Sequence, residues 1–113
     1  KDNGIRLVSD EIYHGITYGA QAETILKSGE DAIVVNSFSK YFSMTGWRLG
    51  WMVAPPDLMR AIECLAQNLF ISSPAISQHA ALAVFDCTEE LDANVHKDGQ
   101  SGIAVGGTAE GRV

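Results

Sequence analysis

Two polar segments, 36–40 and 45–48, hold the side chains of this sequence that are best suited to bind a ligand. Lys40 and Arg48 stand in them among serine and threonine hydroxyls. Arginine can grip a phosphate through two parallel hydrogen bonds, and hydroxyl and loop N–H groups add neutral donors. The segments therefore predict a site for a phosphate-bearing ligand. Spacing alone leaves open a second interpretation, in which Lys40 is solvated and Arg48 forms a surface salt bridge.

Apolar runs on either side of these segments predict the strands that position them. A continuous run at Ala32–Val35 is typical of a strand buried on both faces, and Gly50–Ala54 predicts the next strand. An earlier run, Ile5–Ser9, predicts a strand that ends near Asp10. The connection between the first two strands is long enough for a parallel crossover, whereas the short loop 37–49 favours an antiparallel third strand. The polar segments then fall where open α/β sheets bind ligands.

Three helices are predicted after the third strand. Apolar residues recur at spacings of three and four over 56–71, which marks a helix with one buried face. A second helix is expected over 74–85, with Ser72 and Ser73 as candidate N-caps, and Thr88 is expected to cap a third. The order of elements predicts an α/β fold in which a mixed sheet is followed by helices.

The composition narrows the possible classes of function. A chain of 113 residues with 46% apolar and 19% charged residues is typical of a folded domain rather than a disordered segment. Its net charge of −6 repels phosphate backbones and anionic lipid. No apolar stretch reaches the roughly 20 residues that cross a bilayer. We therefore expect a cytoplasmic protein without a nucleic-acid or membrane partner.

The cysteines and histidines do not indicate a metal centre. Cys64 and Cys87 have no CxxC spacing, so neither a zinc site nor a disulfide scaffold is predicted, and we expect two buried thiols. Asp10, Glu11 and His14 could be interpreted as metal ligands, but acid-to-histidine spacings of three or four residues are common by chance. We predict that the chain binds no metal.

We interpret the sequence as a fragment of a longer protein. It has no initiator Met, and its opening, KDNGIRLVSD, is not a signal peptide. Residues 99–113 hold five of the eleven glycines and no aromatic residue, a composition that does not pack a core. We expect a partial domain over 1–95 and a disordered glycine-rich tail over 96–113.

The segment SFSKYFSMTGWRLG closely resembles the lysine-attachment signature of the class I/II pyridoxal-5′-phosphate-dependent aminotransferases, and SDEIYHG resembles the upstream motif of the same family. Both occur in the family's order, and the likeness extends from about Ile5 to Leu91. The resemblance implies the fold type I architecture, whose large-domain mixed sheet contains one antiparallel strand. The variant TGWRLGW is most similar to the prokaryotic aspartate and aromatic aminotransferases.

The resemblance also implies roles for individual residues around the signature. Lys40 matches the lysine that forms a Schiff base with the cofactor and moves a proton between the substrate α-carbon and the cofactor. Arg48 and Ser37 match ligands of the cofactor phosphate, and Ser39 resembles a further one.

The upstream motif supplies the residues that are expected to contact the cofactor ring. Asp10 matches the carboxylate that pairs with the pyridinium nitrogen and keeps it protonated, so that the ring can accept electrons. Tyr13 is similar to the tyrosine that hydrogen-bonds the phenolic oxygen of the ring. Taken singly, Asp10 could cap a turn and Tyr13 could be a packed aromatic residue. Their joint spacing with Lys40 favours the cofactor roles.

The activity implied by the resemblance is transamination between an amino acid and a 2-oxo acid (EC 2.6.1), in a homodimer. The alternatives are a pyridoxal-phosphate-dependent lyase or decarboxylase of the same fold, or a non-functional truncated fragment. Full members of the family are much longer. The segments absent here supply the residue that stacks on the cofactor and the arginine that binds the substrate carboxylate. We therefore expect the chain alone to be inactive.

Overall fold

Three strands are followed by three α-helices in the part of the chain that the computed structural model describes, residues 3–100. The strands are β1 (Val8–Asp10), β2 (Ile33–Ser37) and β3 (Gly50–Val53), and the helices are α1 (Pro56–Leu69), α2 (Ala75–Val84) and α3 (Thr88–Gln100). Short 3₁₀ turns occupy Ile25–Ser28, Thr45–Trp47 and Phe85–Cys87.

The strands form one mixed sheet in the order β1-β2-β3. β1 and β2 are parallel, with Val8 opposite Ile33, while β2 and β3 are antiparallel, with Ser37 opposite Gly50. The predicted parallel pair and antiparallel third strand are therefore confirmed. Because parallel strands end at the same edge of a sheet, Asp10 and Ser37 lie at one edge, and β3 begins there.

The core lies under the loop that joins β2 to β3. Phe38 and Met44, both from this loop, are buried together with Ala81 of α2. The ring centroid of Phe38 lies 4.9 Å from that of Phe42 and 5.1 Å from that of Trp51. Large apolar side chains thus anchor the loop at its start and its middle, and this packing holds the polar residues between Phe38 and Met44.

β1 and the first helical segment are shorter than the sequence predicts. β1 begins at Val8 rather than Ile5, because the ladder with β2 starts opposite Ile33. The sequence also indicates a brief helix over 22–27, closed by Ser28 and Gly29, but the structure has a single 3₁₀ turn there, Ile25–Ser28. The backbone between β1 and β2 therefore crosses from one strand to the next with little regular helix.

Two helix starts also differ from the prediction. Pro74, rather than Ser72 or Ser73, is the N-cap residue of α2, and no side chain caps its first turn. Thr88 has helical backbone angles (φ −60°, ψ −36°), and the 3₁₀ turn Phe85–Cys87 runs directly into α3. Thr88 therefore continues a helical path instead of capping a new helix.

Several side chains that the sequence predicts to be buried are exposed. Leu65 and Leu69 of α1 are 60% and 76% exposed, so this part of the helix's apolar face has no cover from residues 3–100. Cys87 is exposed, Cys64 is half-buried, and both are free thiols. The prediction of two buried thiols is therefore wrong.

The last described helix extends beyond the boundary predicted at residue 95. α3 runs to Gln100, so the first residues of the predicted tail belong to a helix. The rest of that tail, 101–113, lies outside the described residues. No helix within residues 3–100 is long and apolar enough to cross a bilayer.

Candidate active site

Asp10 and Ser37 end two adjacent parallel strands, as the sequence predicts. The Asp10 carboxylate accepts a hydrogen bond from the N–H of Ile12 at 3.2 Å, which closes a turn directly after β1. This turn is the alternative role that the sequence leaves open for Asp10. The side chain is nevertheless exposed at the sheet edge, so the carboxylate remains accessible to a ligand.

The two predicted serine ligands, Ser37 and Ser39, form one compact hydroxyl pair. Their hydroxyl oxygens lie 2.9 Å apart, and the N–H of Ser39 donates to the Ser37 oxygen at 3.0 Å. The single Ser37 hydroxyl proton can be donated to Ser39 or to the carbonyl of Leu49, at 3.2 Å. These bonds fix the start of the loop and place both hydroxyls beside the end of β2.

Lys40 and Tyr13 are brought together by the fold. The Lys40 Nζ atom lies over the Tyr13 ring, 5.4 Å from the ring centroid, within the range of a cation–π interaction. Tyr13 belongs to the turns after β1, and Lys40 belongs to the loop after β2. The structure therefore joins the upstream motif to the lysine segment at the carboxyl edge of the sheet.

Arg48 stands just before β3 in a left-handed backbone conformation (φ 51°, ψ 50°). Its guanidinium donates to the carbonyl of Thr45 at 3.1 Å, and the Thr45 hydroxyl donates to the carbonyl of Ser39 at 2.7 Å. Left-handed angles cost a non-glycine residue on the order of 1–3 kcal/mol, so neighbouring contacts must maintain them. Through Thr45, Arg48 is linked to the serine segment by hydrogen bonds.

Neither Lys40 nor Arg48 has an acidic partner within 4.0 Å among residues 3–100. By contrast, Lys27 on the surface pairs with Glu23 at 2.8 Å. The surface salt bridge that the sequence leaves open for Arg48 is therefore not formed within this part of the chain. Two cations near one sheet edge that form no ion pair within 4.0 Å among the described residues favour binding of an anion.

Tyr41 ties the loop after β2 to two other elements, a role that the sequence does not reveal. A Cβ atom on Gly15 would lie 2.5 Å from the Tyr41 ring, so only glycine allows this close approach. The Tyr41 hydroxyl donates to Asp92 of α3 at 2.6 Å. This hydrogen bond, together with burial, raises the pKa of Tyr41 above its ordinary value. The ring thus connects the segment of Tyr13 with α3.

Glu11 is a buried carboxylate beside the site, and the sequence assigns it no role other than the disfavoured metal ligand. Its side chain is 4% exposed and accepts hydrogen bonds from the Ile25 N–H at 2.9 Å and the Thr24 hydroxyl at 3.1 Å. His14 Nδ1 lies 3.3 Å from its other oxygen. Burial raises the pKa of Glu11, but these hydrogen bonds and His14 outweigh burial and hold the pKa below its usual value. Glu11 therefore anchors the segment that contains Thr24 to the end of β1.

We expect Glu11→Gln to lower the free energy of unfolding by about 1–3 kcal/mol at neutral pH, because glutamine keeps one acceptor oxygen but loses the charge that strengthens these hydrogen bonds and attracts His14. The pKa of Glu11 is lower in the folded state than in the unfolded state. Its stabilising effect is therefore present above the unfolded pKa and is lost as pH falls through the folded pKa. Urea unfolding of the native protein that contains residues 1–113, at pH 7 and in steps below pH 4.5, measures this.

The matched control for this prediction is Glu23→Gln, because Glu23 is an exposed carboxylate in a surface ion pair with Lys27. We expect the control to change the free energy of unfolding by about 0.5 kcal/mol or less. Equal losses in the two variants, or a Glu11 effect that does not shrink at acid pH, would contradict the anchoring role.

Known proteins are similar to this chain in both sequence and fold. The sequence model of the family described as aminotransferase class I and II matches residues 1–101. The valine–pyruvate aminotransferase of Mycobacterium tuberculosis is 47% identical over 95 residues, which are 80% of this chain and 24% of that protein. The aspartate aminotransferase of Sulfurisphaera tokodaii is 36% identical over 94 residues, with coverage of 80% and 24%. The crystal structure of an aminotransferase from Mycobacterium tuberculosis matches with a TM-score of 0.79 and 45% identity, over 84% of this chain and 27% of that one.

The chain thus spans about a quarter of the length of the curated relatives that it matches. The solved relatives confirm the fold type I architecture that the resemblance implies, with its mixed sheet and following helices. The family match covers both motifs and all the described residues. From this agreement of sequence and fold, the chain belongs to the class I and II aminotransferase family.

Proposed function

We propose that the protein transfers an amino group between an amino acid and a 2-oxo acid, with pyridoxal 5′-phosphate bound where β1 and β2 end. The observation that carries this proposal is the pair of cations, Lys40 and Arg48, which have no acidic partner among residues 3–100. The relatives named above are a valine–pyruvate and an aspartate aminotransferase, which supports amino acids as the substrate class.

The side chains present fit the chemistry of this cofactor. A phosphate group requires a positive partner and several hydrogen-bond donors, and Arg48 with the hydroxyls of Ser37 and Ser39 supplies both. A protonated ring nitrogen requires an anion, and the exposed carboxylate of Asp10 ends the neighbouring strand. In the sheet order β1-β2-β3, Asp10 ends β1 and Arg48 precedes β3, an arrangement that supports a ligand with a cationic end and an anionic end.

In the proposed mechanism, the cofactor when bound supplies an electron sink for the electron pair left on the substrate α-carbon. Lys40 would be the residue that holds the cofactor covalently, through its Nζ atom. As a free amine, Lys40 would also be the base that takes the substrate α-proton, and its protonated form would be the acid that returns a proton. The position of Nζ over the Tyr13 ring keeps the amine at the sheet edge.

Asp10 and Tyr13 are proposed to act on the cofactor ring rather than on the substrate. Asp10 would keep the ring nitrogen protonated, which favours uptake of electrons by the ring. Tyr13 would donate a hydrogen bond from its hydroxyl to the phenolic oxygen. The homodimer and the cytoplasmic location implied at the sequence level stay predictions.

Chemical trapping tests the assignment of Lys40. We expect borohydride reduction of the native protein with bound pyridoxal phosphate, followed by peptide mapping, to place the phosphopyridoxyl label on Lys40. Lys27 is the internal control, because it lies on the surface in an ion pair with Glu23. A label on Lys27, or no labelled lysine, would refute the covalent role of Lys40. If Lys40 is labelled but amino acids yield decarboxylated or eliminated products instead of 2-oxo acids, the enzyme is a lyase or decarboxylase.

A further inference from the structure

Ser77 of α2 is a buried hydroxyl for which the proposed mechanism has no use. It is 3% exposed, and its side chain donates a hydrogen bond to the carbonyl of Trp47 at 2.8 Å. This bond joins α2 to the short 3₁₀ turn Thr45–Trp47, far away in the sequence. Burying a hydroxyl costs free energy unless it is hydrogen-bonded, so this contact defines how α2 sits against the turn.

The Trp47 carbonyl belongs to the peptide group directly before Arg48. The Leu49 carbonyl, in the peptide group after Leu49, accepts a hydrogen bond from the Phe38 N–H at 3.1 Å and lies 3.2 Å from the Ser37 hydroxyl. The left-handed Arg48 (φ 51°, ψ 50°) therefore lies between two residues, Trp47 and Leu49, whose carbonyl groups are both held by hydrogen bonds. Such a conformation persists in a non-glycine residue only where the surroundings determine it on both sides.

We propose that Ser77 is a positioning residue for phosphate binding: by holding the Trp47 carbonyl, it keeps Arg48 left-handed and its guanidinium aimed at the cofactor phosphate. This inference rests on the proposed function. If the bond is lost, the Trp47–Arg48 peptide can rotate towards more common backbone angles, and the guanidinium moves with it. Phosphate recognition should then weaken, whereas contacts to the cofactor ring should not.

The experiment compares two probes on the cofactor-free native protein that contains residues 1–113. Pyridoxal phosphate and pyridoxal share the ring and the aldehyde but differ in the phosphate, so the ratio of their dissociation constants measures phosphate recognition. We expect Ser77→Ala to reduce this preference for pyridoxal phosphate about three- to tenfold, as expected for one lost hydrogen bond. Affinity for pyridoxal itself should stay unchanged.

The matched control is Ala81→Gly. Ala81 is buried one turn further along α2, and glycine weakens the helix there without touching the Trp47 carbonyl. We expect this variant to lower stability but to leave the ratio of the two dissociation constants as in the wild type. Ser77→Cys retains the side-chain volume with a weaker donor, and its ratio should fall between those of Ser77→Ala and the wild type.

Four outcomes would overturn the inference. If Ser77→Ala weakens both probes equally, or if Ala81→Gly lowers the ratio as much, then Ser77 is only structural. If Arg48→Ala lowers the ratio but Ser77→Ala and Ser77→Cys do not, then Arg48 binds the phosphate without help from Ser77, and the proposed function stands. If Arg48→Ala itself leaves the ratio unchanged, then the phosphate role of Arg48 fails and the inference fails with it.

Discussion

Lys40→Ala is expected to abolish amino-group transfer while leaving non-covalent binding of pyridoxal phosphate measurable. The substitution removes both the proposed attachment atom for the cofactor and the proposed base for the α-proton. Proton transfer by a positioned side chain alone contributes about 10²–10⁴-fold to rate, and loss of the covalent step adds to this. Arg48, Ser37 and Asp10 remain in the variant, so the phosphate and the ring still have partners. Turnover with amino acid and 2-oxo acid, alongside equilibrium dialysis of the cofactor, measures both effects.

Lys27→Ala is the control for this prediction, because Lys27 is an exposed lysine outside the site whose ion pair with Glu23 contributes little. We expect it to retain wild-type turnover. Residual turnover of Lys40→Ala within tenfold of the wild type would contradict the assignment. A complete loss of non-covalent binding in Lys40→Ala would show instead that Lys40 is needed to build the site.

The second large effect is expected at the phosphate. Arg48→Ala should weaken cofactor affinity by about 2–4 kcal/mol, which lies within the range for removing one partner of a hydrogen-bonded charge pair that binding buries. Arg48→Lys retains the charge but not the planar pair of donors, so it should recover only part of this loss. Titration of the cofactor-free protein with pyridoxal phosphate measures the change.

Asp10→Asn separates ring chemistry from phosphate binding in the same assay. We expect it to lower the rate much more than the affinity, because the ring loses the partner that keeps its nitrogen protonated while the phosphate contacts remain. For Arg48→Ala, the matched control is Arg60→Ala, because Arg60 is a surface arginine: its side chain is 79% exposed and its Nη1 atom lies 3.5 Å from the Glu63 carboxylate on α1. Equal losses of affinity in Arg48→Ala and Asp10→Asn, with unchanged rates, would contradict both roles.

The sheet and the position of the site could be predicted because their determinants are local in the sequence. The run 32–35 has the composition of a strand buried on both faces, but only one face is fully buried: Val34 is 3% exposed, whereas Ile33 and Val35 on the other face are half-buried. The short loop after β2 was enough to predict that β3 is antiparallel. The roles of the six candidate site residues do not follow from such local patterns. These roles were assigned from the two motifs, and they stay predictions.

The supporting contacts could not be predicted, because each depends on a pair of residues far apart in the chain. Nothing near Ser77 indicates that its hydroxyl reaches Trp47, and nothing near Tyr41 points to Asp92. The periodicity of α1 likewise identifies its apolar face but not the residues that cover this face. Among the described residues, none buries Leu65, which is 60% exposed. Local patterns give the element and its orientation, whereas the partner depends on the assembled fold.

The lengths of the two connections in the mixed sheet also bear on the order in which the strands pair. The connection between β2 and β3, 38–49, is about half as long as the connection between β1 and β2, 11–32. Closing the longer loop costs about 0.6 kcal/mol more in chain entropy, and pairings of shorter sequence separation form faster. We therefore expect the β2–β3 pair to form before β1 docks. Ser37 and Arg48 flank this pair, so we expect the proposed phosphate ligands to come together before Asp10 joins the sheet edge.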